Sequence, residues 1–241
     1  INFGTPEASI YFIGQKKYKE QDIFFSLIAY SMVVAQLVSL LSILLYYFNM
    51  NYLFYNMKPN IFYTALLVII IQVVNTQIRH FLLGKKDVRA YNLVLNYEAI
   101  ILLIVVVVGT ALKIMSVSAL LYLYLFTNVI SLYLHIIKVN KFVRWAHFFS
   151  SIKFIIIKDC IKKGFAYFFT GMGGFWNHRS NFLFLQFFHT TKDVGMYTIA
   201  LAIPNLIANI PSQISLILYP YISALKDNQT AINLTSVIVK I

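Results

Sequence analysis

Charge is what this chain has least of. Of its 241 residues only 12% are charged, and no more than eight are acidic; soluble domains carry about a quarter charged residues. With 60% hydrophobic residues and a mean hydropathy of +0.74, the composition excludes an ordinary soluble domain and reads as an integral membrane protein. A single cysteine, Cys160, excludes an internal disulfide and leaves no partner for a thiolate metal site. We read it as a buried thiol. No Ser/His/Asp arrangement, metal-ligand spacing, Walker loop or G-x-G-x-x-G is present, so no metal and no cofactor are expected. The few acids are scattered, mostly in loops, and a short-loop membrane enzyme would need them clustered. The chain is therefore expected not to be an enzyme.

What is abundant is apolar sequence in long runs. A spanning helix needs about 20 mainly apolar residues. Six segments qualify: 23–48, 61–83, 93–112, 116–137, 164–188 and 194–218. The fold class expected is all-α, a polytopic transmembrane helical bundle. Ahead of the spans, "GTPEASIYFIG" (Gly4–Gly14) reads as the last turns of an earlier helix. Because the chain also opens on Ile1, it is expected to be part of a longer protein. No outer loop exceeds about a dozen residues, which leaves no room for an extramembrane catalytic domain.

The net charge of +12 would suit nucleic acid, but its distribution argues against that partner. Fifteen cations, from Lys16 through Lys226, fall in one set of loops, and three, Lys58, Lys113 and Lys192, in the other. By the positive-inside rule the first set is cytoplasmic. The long inner loop "KVNKFVRWAHFFSS" (Lys138–Ser151) reads as a basic amphipathic helix. Lys138, Lys141 and Arg144 fall on one side; Val139, Phe142, Val143, Ala146 and Phe149 fall on the other. Such a helix would lie in the headgroup layer against anionic lipid. It divides the chain into an N-terminal bundle (1–137), a linker (138–163) and the start of a second bundle (164–241).

Three spans carry polar stripes. At 100° per residue, Gln72, Asn75, Thr76 and Arg79 share one face, as do Tyr124, Asn128, Ser131 and His135. A third stripe joins Asn205, Asn209, Ser212 and Gln213 beside Pro204 and Pro211. Polar groups facing lipid are costly, so each stripe must meet another helix or water. Interhelical hydrogen bonding and a shared hydrated cavity both satisfy this; the prolines read as fixed kinks or as hinges. Arg79 and His80 are close enough to the inner end to snorkel. Glu98 would pair with Arg89 or Lys86, or serve as a protonatable coupling site, a role open to His135 as well. "GMGG" (Gly171–Gly174) reads as a close helix-packing surface.

The stretch "WNHRSN" (Trp176–Asn181) puts a permanent cation inside the fifth span. Arg179 lies about 22 Å along the axis from Gly164, deep enough to cost several kcal/mol unless paired or hydrated. No acid lies within a turn; Asn181 stands at the nearby position. Binding an anion, hydrogen bonding to backbone carbonyls and snorkelling are the open readings. A phosphate would accept two parallel hydrogen bonds from the guanidinium.

The stretch Lys162–Leu225 resembles the region after the central linker in Wzx-type O-antigen and polysaccharide flippases. These belong to the multidrug/oligosaccharidyl-lipid/polysaccharide exporter superfamily. The features carrying the resemblance are Gly164, Arg179, "VGMYT" (Val194–Thr198) and the "YP..S" close (Tyr219–Ser223). "GTPEASIYFIGQKK" is similar to the exit of the second helix in that family. The similarity runs through most of the chain in helix order, with Lys162–Leu225 its specific part. One departure is Asn181, where the family often has an Asp, which leaves Arg179 less neutralised.

The resemblance implies a two-bundle flippase fold in a bacterial inner membrane. The function it implies is translocation of undecaprenyl-pyrophosphate-linked oligosaccharide by alternating access. Its partners would be that lipid-linked substrate, membrane lipid and other glycan-assembly proteins. Arg179, with His178 and Arg79, would neutralise the pyrophosphate. Asn75, Asn128, Asn177, Asn205 and Asn209 would meet sugar hydroxyls, and Asn181 would complete the cavity. A multidrug exporter of the same superfamily is the alternative, with a membrane polymerase or ligase behind it.

Overall fold

The computed structural model describes residues 2–48, 57–111, 113, 116–188, 190–225 and 236. They are all-α. The helices are α1 (Thr5–Gly14), α2 (Glu20–Tyr47), α3 (Pro59–Gly84), α4 (Val88–Ala111) and α5 (Val117–Val139). After them come a 3₁₀ turn (Trp145–His147), one-turn α6 (Phe148–Ser151), α7 (Phe154–Phe188) and α8 (Thr191–Ile222). Among the described residues five helices, α2, α3, α4, α5 and α8, are long and apolar enough to cross a membrane. By that measure the chain is a multi-pass membrane protein. The expected fifth span is wholly helical within α7. It misses the hydropathy of a span because Asn177, His178, Arg179, Ser180 and Asn181 arrive consecutively.

Local chemistry sets the helix ends. Pro59 opens α3, where its missing N–H costs nothing. Ser116 caps α5 by accepting from the Ala119 N–H. Thr190 and Asp193 form a reciprocal capping box on α8, each side chain accepting from the other's backbone N–H. A tight turn joins α3 to α4: the Asp87 N–H reaches Leu82 O and the Lys86 N–H reaches Leu83 O. Lys86 sits at φ 59 in this turn. Connections this short force antiparallel neighbours.

The core lies at the end of the molecule that carries the basic loops. Phe24, Phe25, Ile78, Phe81, Leu82, Val139, Val143, Ile156 and Cys160 form one buried cluster. Four lysine–carboxylate pairs clamp the same end: Lys17–Asp159, Lys85–Glu20, Lys141–Asp87 and Lys153–Asp22. The Lys17 hydrogen bond, then that of Tyr18, holds the Asp159 carboxyl below the usual range. Partial burial pushes Asp87 up, but the Lys141 bond and the Ala90 N–H together outweigh it and its acidity increases. Burial pushes the Cys160 thiol up to about 12, with the Asp159 charge adding to the effect.

Lys138–Ser151 does not form the expected single amphipathic helix. α5 stops at Val139, residues 140–144 turn, and helix resumes only in short pieces. Packing overrides the pattern. Val139 and Val143 are buried, and the Trp145 ring sits 5.4 Å from Phe25 and 6.0 Å from Phe24. A straight helix would pull these groups out of the core. Phe149, expected on the apolar face, is 86% exposed. α7 begins at Phe154 and runs unbroken through residue 164, where the second bundle was expected to start.

α1, though only ten residues long, is the hub. It packs against α2, α3, α7 and α8, and Thr5, Ala8, Ser9 and Ile10 are fully buried. Glycines bring the backbones together. A Cβ on Gly4, which has φ +69, would lie 2.0 Å from Gly164 O, and one on Gly164 would lie 2.6 Å from Phe3 O. The other end of α1 is held by the Gln15 amide, which donates to Ser223 O at 2.9 Å. The "GMGG" glycines do not pack closely: nothing lies within 4 Å of a Cβ built on Gly171, Gly173 or Gly174.

Candidate functional site

The polar stripes of α3 and α5 face each other. Gln72 Nε2 donates to the Tyr124 hydroxyl at 3.1 Å, and Asn75 Nδ2 donates to Asn128 O at 3.1 Å. His135 Nδ1 lies 3.2 Å from Asn75 Oδ1 and 3.4 Å from Ser131 Oγ. Asn75, Asn128 and His135 are fully buried. This seam is the interhelical form of the expected pairing, since a polar side chain between spans is stable only with a partner. It is not fully satisfied. Asn128 Oδ1, His135 Nε2 and Arg79 Nε are buried without a hydrogen-bond partner.

A cavity of about 650 Å³ adjoins the seam. Asn2, Phe3 and Glu7 line it from the start of α1, Gln72, Val73 and Thr76 from α3, and Tyr167, Phe168, Gly171, Met172 and Trp176 from α7. Gln72 belongs to both cavity and seam, so the two form one polar region with an apolar far wall. Below it, the Tyr219 hydroxyl lies 2.7 Å from that of Tyr167 and 3.4 Å from the Glu7 carbonyl, tying α8, α7 and α1 together. Among the described residues no cluster of His, Cys, Asp or Glu is arranged to hold a metal ion.

No family model, curated protein or solved structure matches this chain. The reading of the site therefore rests on its geometry.

Of the residues expected to contribute, Asn75, Asn128 and Arg79 are brought to the seam, as is His135. Of the third stripe, Asn205 and Gln213 on α8 are exposed and do not join them, and Ser212 lies outside the described side chains; Asn181 on α7 is exposed as well. Glu98 is half-buried with Oε2 unpartnered, and it pairs with neither Arg89 nor Lys86. Asn177, His178 and Arg179 lie on α7 and Asn209 on α8, but their side chains are outside the described residues. Along the helix, Arg179 follows Trp176 of the cavity wall by three residues, about 4.5 Å of axial rise.

The sequence reading missed the contribution of Asn2, Glu7, Tyr167 and Trp176. A signal for Glu7 was present, an acid in an otherwise apolar helix. Its role depends on α1 packing against α3 and α7, which no local pattern announces.

Proposed function

We propose that this chain is part of a flippase for lipid-linked oligosaccharide in a bacterial inner membrane, working by alternating access between two helical bundles. The observation that supports this reading is the cavity of about 650 Å³ between α1, α3 and α7. Its size is in the range of ligand pockets, roughly 300–1,000 Å³. One wall offers the Asn2, Gln72 and Thr76 side chains for sugar hydroxyls, and the other offers aromatic rings. Arg179, one turn beyond Trp176, with His178 and Arg79, would neutralise the pyrophosphate while the lipid tail stays in the bilayer. Asn75 and Asn128 would exchange helix contacts for substrate hydroxyls as the bundles move, and Asn177, Asn205 and Asn209 would offer further hydrogen bonds. Carrying an anion toward a positive exterior is downhill by about 2.3 kcal/mol per charge per 100 mV.

The test is Arg179→Ala in cells that assemble a surface glycan. Loss of that glycan with membrane insertion intact is expected; normal export would sink the anion-site assignment. Glu7 supplies the observation favouring a second reading, a small-molecule exporter of the same superfamily, because an acid on the cavity wall suits a cationic compound. Drug susceptibility that changes on deletion, with the glycan unaffected, would select that reading.

A further inference from the structure

We propose that Glu7 and His80 form a proton-binding pair beside the cavity, holding one exchangeable proton between a carboxylate and an imidazole. His80 Nδ1 lies 2.8 Å from the carbonyl oxygen of Thr76. A carbonyl only accepts, so Nδ1 carries a hydrogen and a neutral ring presents its lone pair at Nε2. That nitrogen faces Glu7 Oε1 at 3.8 Å. A lone pair opposite an ionised carboxylate is two acceptors meeting with nothing to donate. One proton on the ring turns the contact into an ion pair at this separation, and one on the carboxyl relieves the meeting of acceptors; either lets the two groups close to a hydrogen bond.

The surroundings suit reversible uptake. The Glu7 side chain is 43% exposed and lines the cavity, giving protons a route in, while that of His80 is only 15% exposed. Among the described residues, the charges acting on the ring are Glu7 from α1 and Arg79 from α3 itself. The other titratable groups close by are hydroxyls: Tyr219 of α8 reaches the Glu7 carbonyl and meets Tyr167 of α7. Glu7 is thereby tied to α7 and α8, and His80 to α3. A movement of α7 and α8 that carries α1 away from α3 would alter the contact that holds the proton. The use of this proton to drive a transport cycle rests on the flippase reading; the site itself does not.

The experiment is a pH titration of the intact protein in lipid vesicles, with histidine ¹⁵N resonances read by solid-state NMR. The His80 signal is assigned by its loss in His80→Gln. In a coupled pair, removing one partner's charge must move the other's titration. Glu7→Gln is expected to displace the His80 midpoint by about one pH unit or more, a roughly tenfold change in proton affinity. Glu7→Asp, which keeps the charge but shortens its reach, is expected to displace it by less. Coincident midpoints in the wild type and folded Glu7→Gln, or a displacement in Glu7→Asp as large as in Glu7→Gln, would overturn the proposal. No substrate is present in this measurement, so its failure leaves the Arg179 test standing. Normal glycan export in Arg179→Ala would likewise leave the proton site intact.

Discussion

The two ends of this molecule cohere in different ways. At the basic end, protein packs on protein: a buried cluster of large side chains, four lysine–carboxylate pairs and backbone-to-backbone contacts at glycine. At the other end, α2 exposes Leu37, Leu40, Leu41 and Leu44, and α8 exposes Ile199, Ile203, Leu206, Ile207 and Ile210. α8 touches its neighbours at its last turns, where Tyr219 and the capping Ser223 meet α1 and α7, and near its start, where the Tyr197 ring lies 5.5 Å from that of Phe182. The bilayer asks for this difference. Apolar side chains gain little by leaving lipid for protein, so helix association depends on close backbone approach and hydrogen bonds rather than on burial. Those features are concentrated at the basic end, which is where the helices are joined.

The largest expected effect that tests this contrast is at Gly4. Gly4→Ala drives a methyl into the carbonyl of Gly164 at a left-handed backbone position. It should cost about 3 kcal/mol or more, read as a drop in thermal stability in detergent. Gly171→Ala, with open space around it, should be neutral or stabilising by up to about 1 kcal/mol. Equal losses at both sites would erase the distinction between the joined end and the open one.

Smaller is the effect of Asn75→Ala, which removes the bond to the Asn128 carbonyl and a partner of His135. About 1–2 kcal/mol is expected, and the loss should not add to that of His135→Ala in a double-mutant cycle. Asn205→Ala, at an exposed position of α8, should leave stability unchanged; a loss as large as that of Asn75→Ala would mean that the middle of α8 is held as well as its ends.

The smallest effect is that of the Lys17–Asp159 pair, which solvent and salt screen. The Asp159 carboxyl is held below its usual value in the folded state. Its contribution is therefore present above the ordinary carboxylate range, near pH 4, and is lost as pH falls through the depressed value. The stability difference between wild type and Asp159→Asn should shrink on acidification and on adding salt. A difference that grows toward low pH would contradict the assignment.

The spans were legible because runs of twenty apolar residues have few other solutions, and the α3 and α5 stripes were legible because 3.6-residue periodicity survives in a membrane. Their mutual pairing was not. A stripe announces that it needs a partner and leaves the partner unnamed, which is why Asn205 and Gln213 seemed equivalent to Asn75 and Asn128. The Lys138–Ser151 segment misled for the opposite reason, since its amphipathic pattern lost to the burial of Val139, Val143 and Trp145's ring contacts. α1 was the largest omission. Its importance comes from Gly4, Gly14, Gly84 and Gly164 fitting against neighbours distant in sequence, and a glycine's spatial neighbour leaves no local pattern.

Cys160 gives the molecule one more property. Its sulphur is buried, and at neutral pH it stays a thiol rather than the thiolate that alkylating reagents attack. To such reagents the natural chain is therefore a blank sheet. A cysteine written at Met172 on the cavity wall, or at Asn205 on the open helix, would be the one mark they develop, and both ends could be watched without first erasing anything.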